Sequence, residues 1–197
     1  MNIPKEISGR KVTNRGVHSL PFPYHGDYMG NETARSYWLG LMQSMHMSWV
    51  VLLTDGDSVL QKYDGYSVYE HYLRAGMNPV IRYLATLPYP FFGQDMVRGL
   101  VREAEPYGVT PFVQLWNEPG DPREWKDKKV PANWWDVFVG LWNDAAGQVL
   151  DLGAYPGFPD GPGYNFTTKH PFAHADHWHE DGVWYAVHNY GKGRPLD

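Results

Sequence analysis

The stretch Gln114-Leu115-Trp116-Asn117-Glu118-Pro119-Gly120 holds the residue types that acid–base chemistry on a leaving oxygen requires. It continues an apolar run of strand type, Phe112 to Trp116. Glu118 could protonate a glycosidic oxygen as a general acid if a partly apolar pocket raises its pKa. Asn117 could hydrogen-bond a sugar 2-hydroxyl, a contact that strengthens in the transition state. Pro119 removes a competing N–H and fixes the chain as it leaves the strand. Without partners, the same residues make an ordinary strand-to-loop turn with a solvated carboxylate.

A second constellation gathers His170, His174, His177 and His179 with Asp176, Glu180 and Asp181. On a helix, His174, His177 and Asp181 would share a face and could seat a divalent cation. No HExxH pattern accompanies them, and a polar surface helix accounts for the cluster, so neither a metal nor any cofactor is assigned. The chain has no cysteine, which excludes thiol catalysis, disulfides and Cys-ligated metals.

The elements that must position these residues alternate along the chain. Strand-type runs are Val12 to His18, Ser48 to Leu53, Val80 to Leu84, Phe112 to Trp116, Leu150 to Tyr155 and Val183 to His188. Their near-continuous hydrophobicity fits a parallel sheet buried on both faces. Between them lie helical stripes: Ala34, Tyr37, Trp38, Leu41, Met42 and Met45; Val97, Leu100, Val101 and Ala104; and Trp134, Phe138, Leu141, Trp142, Ala145 and Val149. Asn133 is placed to cap the last of these. A short helix over Val68 to Arg74 would end at Gly76. Gly76-Met77-Asn78-Pro79-Val80 and Gly108-Val109-Thr110-Pro111-Phe112 echo each other at an offset of 32 residues, about one β-α unit.

Such alternation allows a doubly wound sheet or a (β/α)8 TIM barrel. No GxGxxG or Walker loop follows the first strand, which favours the barrel. Eight units of roughly 33 residues need about 260, near the typical size of that fold. The 197 residues are therefore expected to form one domain, 1–197, holding about six of the eight units.

Composition narrows the partners. Lys plus Arg total 17 against 22 Asp plus Glu, a net charge of −5, which argues against nucleic-acid binding and a polybasic membrane surface. The longest apolar run, Trp49 to Leu53, is too short to span a bilayer. Residues 1–11 are polar and lack a signal-peptide core, though a secreted protein whose leader had been removed would read the same way. Aromatic residues make up 16%, and aromatic-proline loops follow the first, third and fifth strands: Pro21 to Tyr24, Pro88 to Phe92 and Tyr155 to Tyr164. Flat rings on stiff loops suit stacking against sugar faces, with a packed aromatic core as the alternative. Trp125, Trp134 and Trp135 could extend such a wall, although Trp134 more naturally faces the core. Asp55 and Asp57 could hold hydroxyls in distal subsites. Asn31-Glu32-Thr33 and Asn165-Phe166-Thr167 match glycosylation sequons.

Asn117-Glu118-Pro119 after a fourth strand, with His188-Asn189-Tyr190 after a sixth, resembles the clan A retaining glycoside hydrolases. These are (β/α)8-barrel enzymes that include cellulases and mannanases. The resemblance spans most of the chain as a strand-and-helix count, but specific residues at only a few points. It implies retaining hydrolysis of β-glycosidic bonds in oligo- or polysaccharides, with carbohydrate as partner and no cofactor. Glu118 would be the acid/base and Asn117 its 2-hydroxyl partner. Arg82 would support them, while His188 and Tyr190 would orient the catalytic carboxyls. Trp116 and Tyr155 are the neighbouring aromatic candidates for substrate contact.

One departure bears on mechanism. The family's nucleophile is a second Glu after strand seven, and a retaining pair sits about 5–5.5 Å apart. This chain has no seventh strand-type run, and Asp55, Asp57 and Asp160 do not occupy that position. Three explanations stand: a missing C-terminal segment, a partner copy completing the barrel as a homo-oligomer, or a degenerate relative that binds sugar without cleaving it. Gly191 to Asp197 reads as a loop running on, which favours the first. An unclosed barrel would expose two strand edges.

Overall fold

The computed structural model describes residues 3–18, 29–159 and 182–186. The chain opens with a hairpin, β1 (Glu6–Ile7) and β2 (Arg10–Lys11). Its two-residue turn, Ser8-Gly9, has positive φ at both positions (48° and 75°), as the twist of a tight hairpin demands. Then follow β3 (Gly16–His18), α1 (Glu32–Ser44), β4 (Trp49–Thr54), a second hairpin β5 (Lys62–Tyr63) and β6 (Tyr66–Ser67), α2 (Val68–Arg74) and β7 (Asn78–Tyr83). The chain continues through α3 (Gln94–Ala104), β8 (Phe112–Leu115), α4 (Trp134–Asp151), β9 (Tyr155–Pro159) and β10 (Trp184–Ala186).

Six strands form one parallel sheet in the order β3-β4-β7-β8-β9-β10. Spatial order equals chain order, so there is no point at which the winding reverses, unlike a doubly wound sheet. Crossovers of one hand then carry the helices to one face. β3 and β10 are the edges, and the described residues do not close the sheet into a barrel. The 32-residue echo is the pairing register itself: Val80, Ile81, Arg82 and Tyr83 face Phe112, Val113, Gln114 and Leu115.

Strand alternation divides the core in two. Toward the helices point Val50, Leu52, Ile81, Val113 and Phe158, all buried. Phe158 packs on Trp142 (4.9 Å) and Phe138 (5.5 Å) of α4. On the other face Phe112 meets Trp49 (5.4 Å), Tyr155 (5.2 Å) and Trp184 (6.0 Å), edge to face. Trp49 and Trp184 lie two strands to either side of Phe112, so these rings converge across the face. Each indole sits opposite a glycine. A Cβ at Gly157 would come within 2.4 Å of the Trp184 ring, and one at Gly16 within 3.0 Å of Trp49.

Several expectations shift. The fifth strand is not Leu150 to Tyr155: α4 continues through Asp151, because its apolar stripe is unbroken to Val149, and β9 starts at Tyr155. Asn133 stands at the start of α4 but makes no side-chain cap bond. Asn31 and Ser67 do cap α1 and α2, accepting from Ala34 and Glu70 N–H. On α1 the inward face is Arg35, Trp38 and Met42, leaving Tyr37, Leu41 and Met45 exposed. Arg35 is drawn inward by Asp64 and the Met29 carbonyl, and Trp38 by the Tyr72 hydroxyl.

Arg10 clamps the N-terminal hairpin to the sheet's lower end, donating to Ala75 O (2.8 Å) and Gln43 O (3.1 Å). Its stem lies over Gly76, whose φ of 75° few other residues adopt. A Cβ there would approach Arg10 Cδ to 2.7 Å. Gly76→Ala is therefore expected to destabilise by about 1–3 kcal/mol. Gly140, exposed in α4 with nothing within 4 Å, should behave oppositely when changed to Ala. It should gain about 0.5–1 kcal/mol from helix propensity. Urea midpoints check both; shifts of the same sign would contradict this account.

Candidate active site

The site begins with the pairing of Arg82 and Gln114 on neighbouring strands, near the carboxyl ends of β7 and β8. Both extend from the aromatic face, two residues beyond Val80 and Phe112. Arg82 Nε donates to Gln114 Oε1 (3.1 Å) and Arg82 Nη1 to Asn117 Oδ1 (3.2 Å). Asn117 Nδ2 in turn donates to Glu124 Oε1 (3.0 Å). Four side chains from two strands and one loop thus form a continuous hydrogen-bonded chain.

Trp116 makes this possible without joining it. β8 stops at Leu115, and Trp116 takes φ 61°, a left-handed conformation costly for a bulky residue. Its indole drops into the helix layer, edge-on to Phe138 at 5.8 Å and fully buried. Trp116 is thus a core residue, not the substrate-facing aromatic that its place beside Asn117 suggests. Its carbonyl accepts from Gln114 Nε2 (3.1 Å), tying the turn back to the strand.

Beyond Glu118 the chain turns at once, Asp121 N–H donating to Glu118 O (2.7 Å). A 3-10 turn, Pro122–Glu124, is capped by the Asp121 carboxylate on Arg123 N–H. Trp125 is pinned beneath it, 3% exposed, with Nε1 donating to Pro119 O (2.8 Å). It therefore anchors the loop, and little of its ring is left exposed. The loop after β7 joins this one: Leu87 N–H donates to Glu124 O (2.7 Å) and Lys126 N–H to Leu87 O (2.8 Å). Of the aromatic-proline stretch there, Tyr89 and Phe92 are exposed, while Phe91 is buried against Tyr83.

Between these loops and the sheet lies a groove of about 480 Å³, lined by Asp55, Arg82, Thr86, Asn117, Arg123 and Glu124 among others. Glu118 is not among the residues lining it and is buried, 4% exposed. Burial holds the Glu124 carboxyl above the usual carboxylate range, and the charges of Asp121 and Glu118 add to this; the Asn117 hydrogen bond and Arg123 oppose it. Burial also lowers the pKa of Arg82, against the pull of Glu118 and Glu124; a guanidinium still keeps its charge. A larger cavity of about 640 Å³ lies between Pro88, Trp125, Val130 and Pro131; of the expected aromatic wall it takes Pro88 and Trp125, but Arg82, Asn117 and Glu118 do not line it.

The structure thus brings Arg82 and Asn117 together, with Glu118 next to them. Tyr155 is elsewhere. It opens β9 at the sheet's amino end, its ring on Phe112 and its carbonyl accepting from Trp184 Nε1 (3.0 Å). It belongs to the aromatic layer and not to the rim, because the preceding helix is longer than its strand-like sequence implies. His188, Tyr190, His174, His177, Asp181 and Asp160 lie outside the described residues. Among the described residues no group of three His, Cys, Asp or Glu could hold a metal ion. No helix among them is long and apolar enough to cross a membrane. Gln114, Arg123 and Glu124 are site residues that sequence alone did not single out. Glu124 follows an Asp-Pro turn signal at Asp121-Pro122, but that signal does not tell that the turn returns to Asn117.

No protein family, curated protein or solved structure matches this chain.

Arg82 is the partly buried cation that faces Glu118 and Glu124, with the exposed Arg123 as a second, so Arg82→Met should leave a buried and a half-buried carboxylate less well compensated. The expected cost at pH 7 is about 1–3 kcal/mol. It should shrink as the pH falls and Glu124, whose folded pKa is raised, takes up its proton early in the descent. Denaturation of both proteins from pH 7 to pH 4 checks this; a cost independent of pH would exclude the charge-compensating role.

Proposed function

We propose that this chain is a glycoside hydrolase-type domain acting on β-glycosidic bonds of oligo- or polysaccharides with retention, built on a (β/α)8-type barrel of which the six strands of the parallel sheet are part. One observation carries the proposal. At the carboxyl ends of two adjacent parallel strands, Asn117 is fixed at a groove surface by Arg82 and Glu124, with Glu118 immediately following. Active groups of β/α barrels sit at that end of the strands. The unreversed strand order is the order such a barrel requires.

In this scheme Glu118 protonates the leaving oxygen and then activates water in the second step. Asn117 engages the 2-hydroxyl. Arg82 fixes Asn117 and balances the carboxylates. The nucleophile is a carboxylate outside the described residues, from a C-terminal continuation or a partner copy. The groove's mix of carboxylate, guanidinium, amide and hydroxyl groups suits a ligand rich in hydroxyls. A second proposal, a carbohydrate-binding or structural protein without catalysis, is favoured by the burial of Glu118 and its absence from the groove lining.

Hydrolysis of aryl β-glycosides and soluble β-glucans by wild type and Glu118→Gln tests the assignment. Loss of a general acid should lower turnover by about 10²–10⁴-fold. Retained β-glucan binding with no turnover in either protein would select the non-catalytic alternative. Neither turnover nor binding would exclude both.

A further inference from the structure

We propose that Glu124 and Asn117 form a hydroxyl-binding fork in the groove, with Glu124 also acting as the positioning residue that sets the orientation of the Asn117 amide. The ligand class is a neutral sugar presenting one free hydroxyl to the pair. Its sugar nature rests on the function proposed above; the geometry does not.

The donor and acceptor chemistry of the two neighbours fixes the amide. A guanidinium only donates, so the Asn117 atom facing Arg82 must be oxygen. An ionised carboxylate only accepts, so the atom facing Glu124 must be the NH₂ group. That leaves one Nδ2 hydrogen of Asn117 and the second oxygen of Glu124 without a hydrogen-bond partner among the described residues. Both residues line the groove. A hydroxyl is the group that can accept from the one and donate to the other at the same time. A ligand carboxylate has no proton to give Glu124 and would meet its charge.

The fork depends on the charge of Glu124. The groups around it are Asp55 across the groove, Arg82 from β7, Glu118 and Asp121 from its own loop, and Arg123 beside it. Its raised pKa puts the loss of the charge, and the conversion of one accepting oxygen to a hydroxyl, above the ordinary value of about 4.3 for glutamate. The fork has its full accepting strength near pH 7 and weakens as the pH falls through that raised value.

Nuclear magnetic resonance of the full chain tests both parts. The Asn117 side-chain amide signals, identified by their absence in Asn117→Ser, should move with pH at the midpoint of the Glu124 carboxyl. In Glu124→Gln, which keeps the acceptor but not the charge, that movement should vanish. Titration with a panel of neutral tetrasaccharides (cello-, xylo-, manno- and laminaritetraose) should show a bound member weakened about tenfold or more in Glu124→Ala at pH 7. It should be weakened less in Glu124→Gln, and tetragalacturonide should bind more poorly than that neutral sugar. Amide signals that stay still, or that titrate alike in Glu124→Gln, would overturn the positioning role. Unchanged affinity in Glu124→Ala, or no binding of any neutral member by wild type, would overturn the fork. Glycoside turnover that is lost in Glu118→Gln yet indifferent to Glu124 would remove the fork and leave the proposed function standing.

Discussion

Parallel strands that follow one another in chain order have helices over only one face, and the uncovered face must bury itself. In this chain Phe112 does most of that work. Its ring touches Trp49, Tyr155 and Trp184, which reach it from strands on both sides. Large rings can converge there only because Gly16 and Gly157 stand opposite the two indoles and leave room for them. The high aromatic content belongs in good part to this layer and to the Trp142, Phe138 and Phe158 cluster behind the sheet.

The polar site depends on that layer. Strand alternation places Arg82 and Gln114 on the same face as Val80 and Phe112, one repeat nearer the carboxyl ends. The rings fill the amino end, so the charged chain begins where they stop and opens into the groove. A half-buried guanidinium is tolerated there because every neighbour that faces it is an acceptor or an anion. The left-handed turn at Trp116 divides the two environments, sending one aromatic residue into the core and the next residue, an amide, to the groove.

How much of this the sequence discloses follows from the range of the forces involved. The Val68–Arg74 helix and the strand-helix alternation are legible because they rest on local periodicity and caps. The 32-residue echo is legible and turns out to be the register of β7 against β8. Tyr155 is misplaced because a long apolar helix reads like a strand at its end. Trp116 is misplaced because strand alternation cannot foresee a single left-handed residue. Glu124 goes unnoticed because its role comes from a loop folding back on Asn117, and loops carry no period. Barrel closure, the sugar chemistry and the roles of His188 and Tyr190 rest on resemblance to clan A, not on local physics.

The Leu87–Trp125 bridge makes the loops after β7 and β8 one backbone-stitched unit. Glu124 holds Asn117 with its side chain and Leu87 with its carbonyl, so the same residue fastens both walls. The aperture of the groove is consequently a property of main-chain pairing. Exchanging side chains along its lining changes what it touches; changing how wide it opens requires unzipping the two loops. Variation in this protein should therefore retune selectivity far more readily than it rescales the size of the ligand admitted.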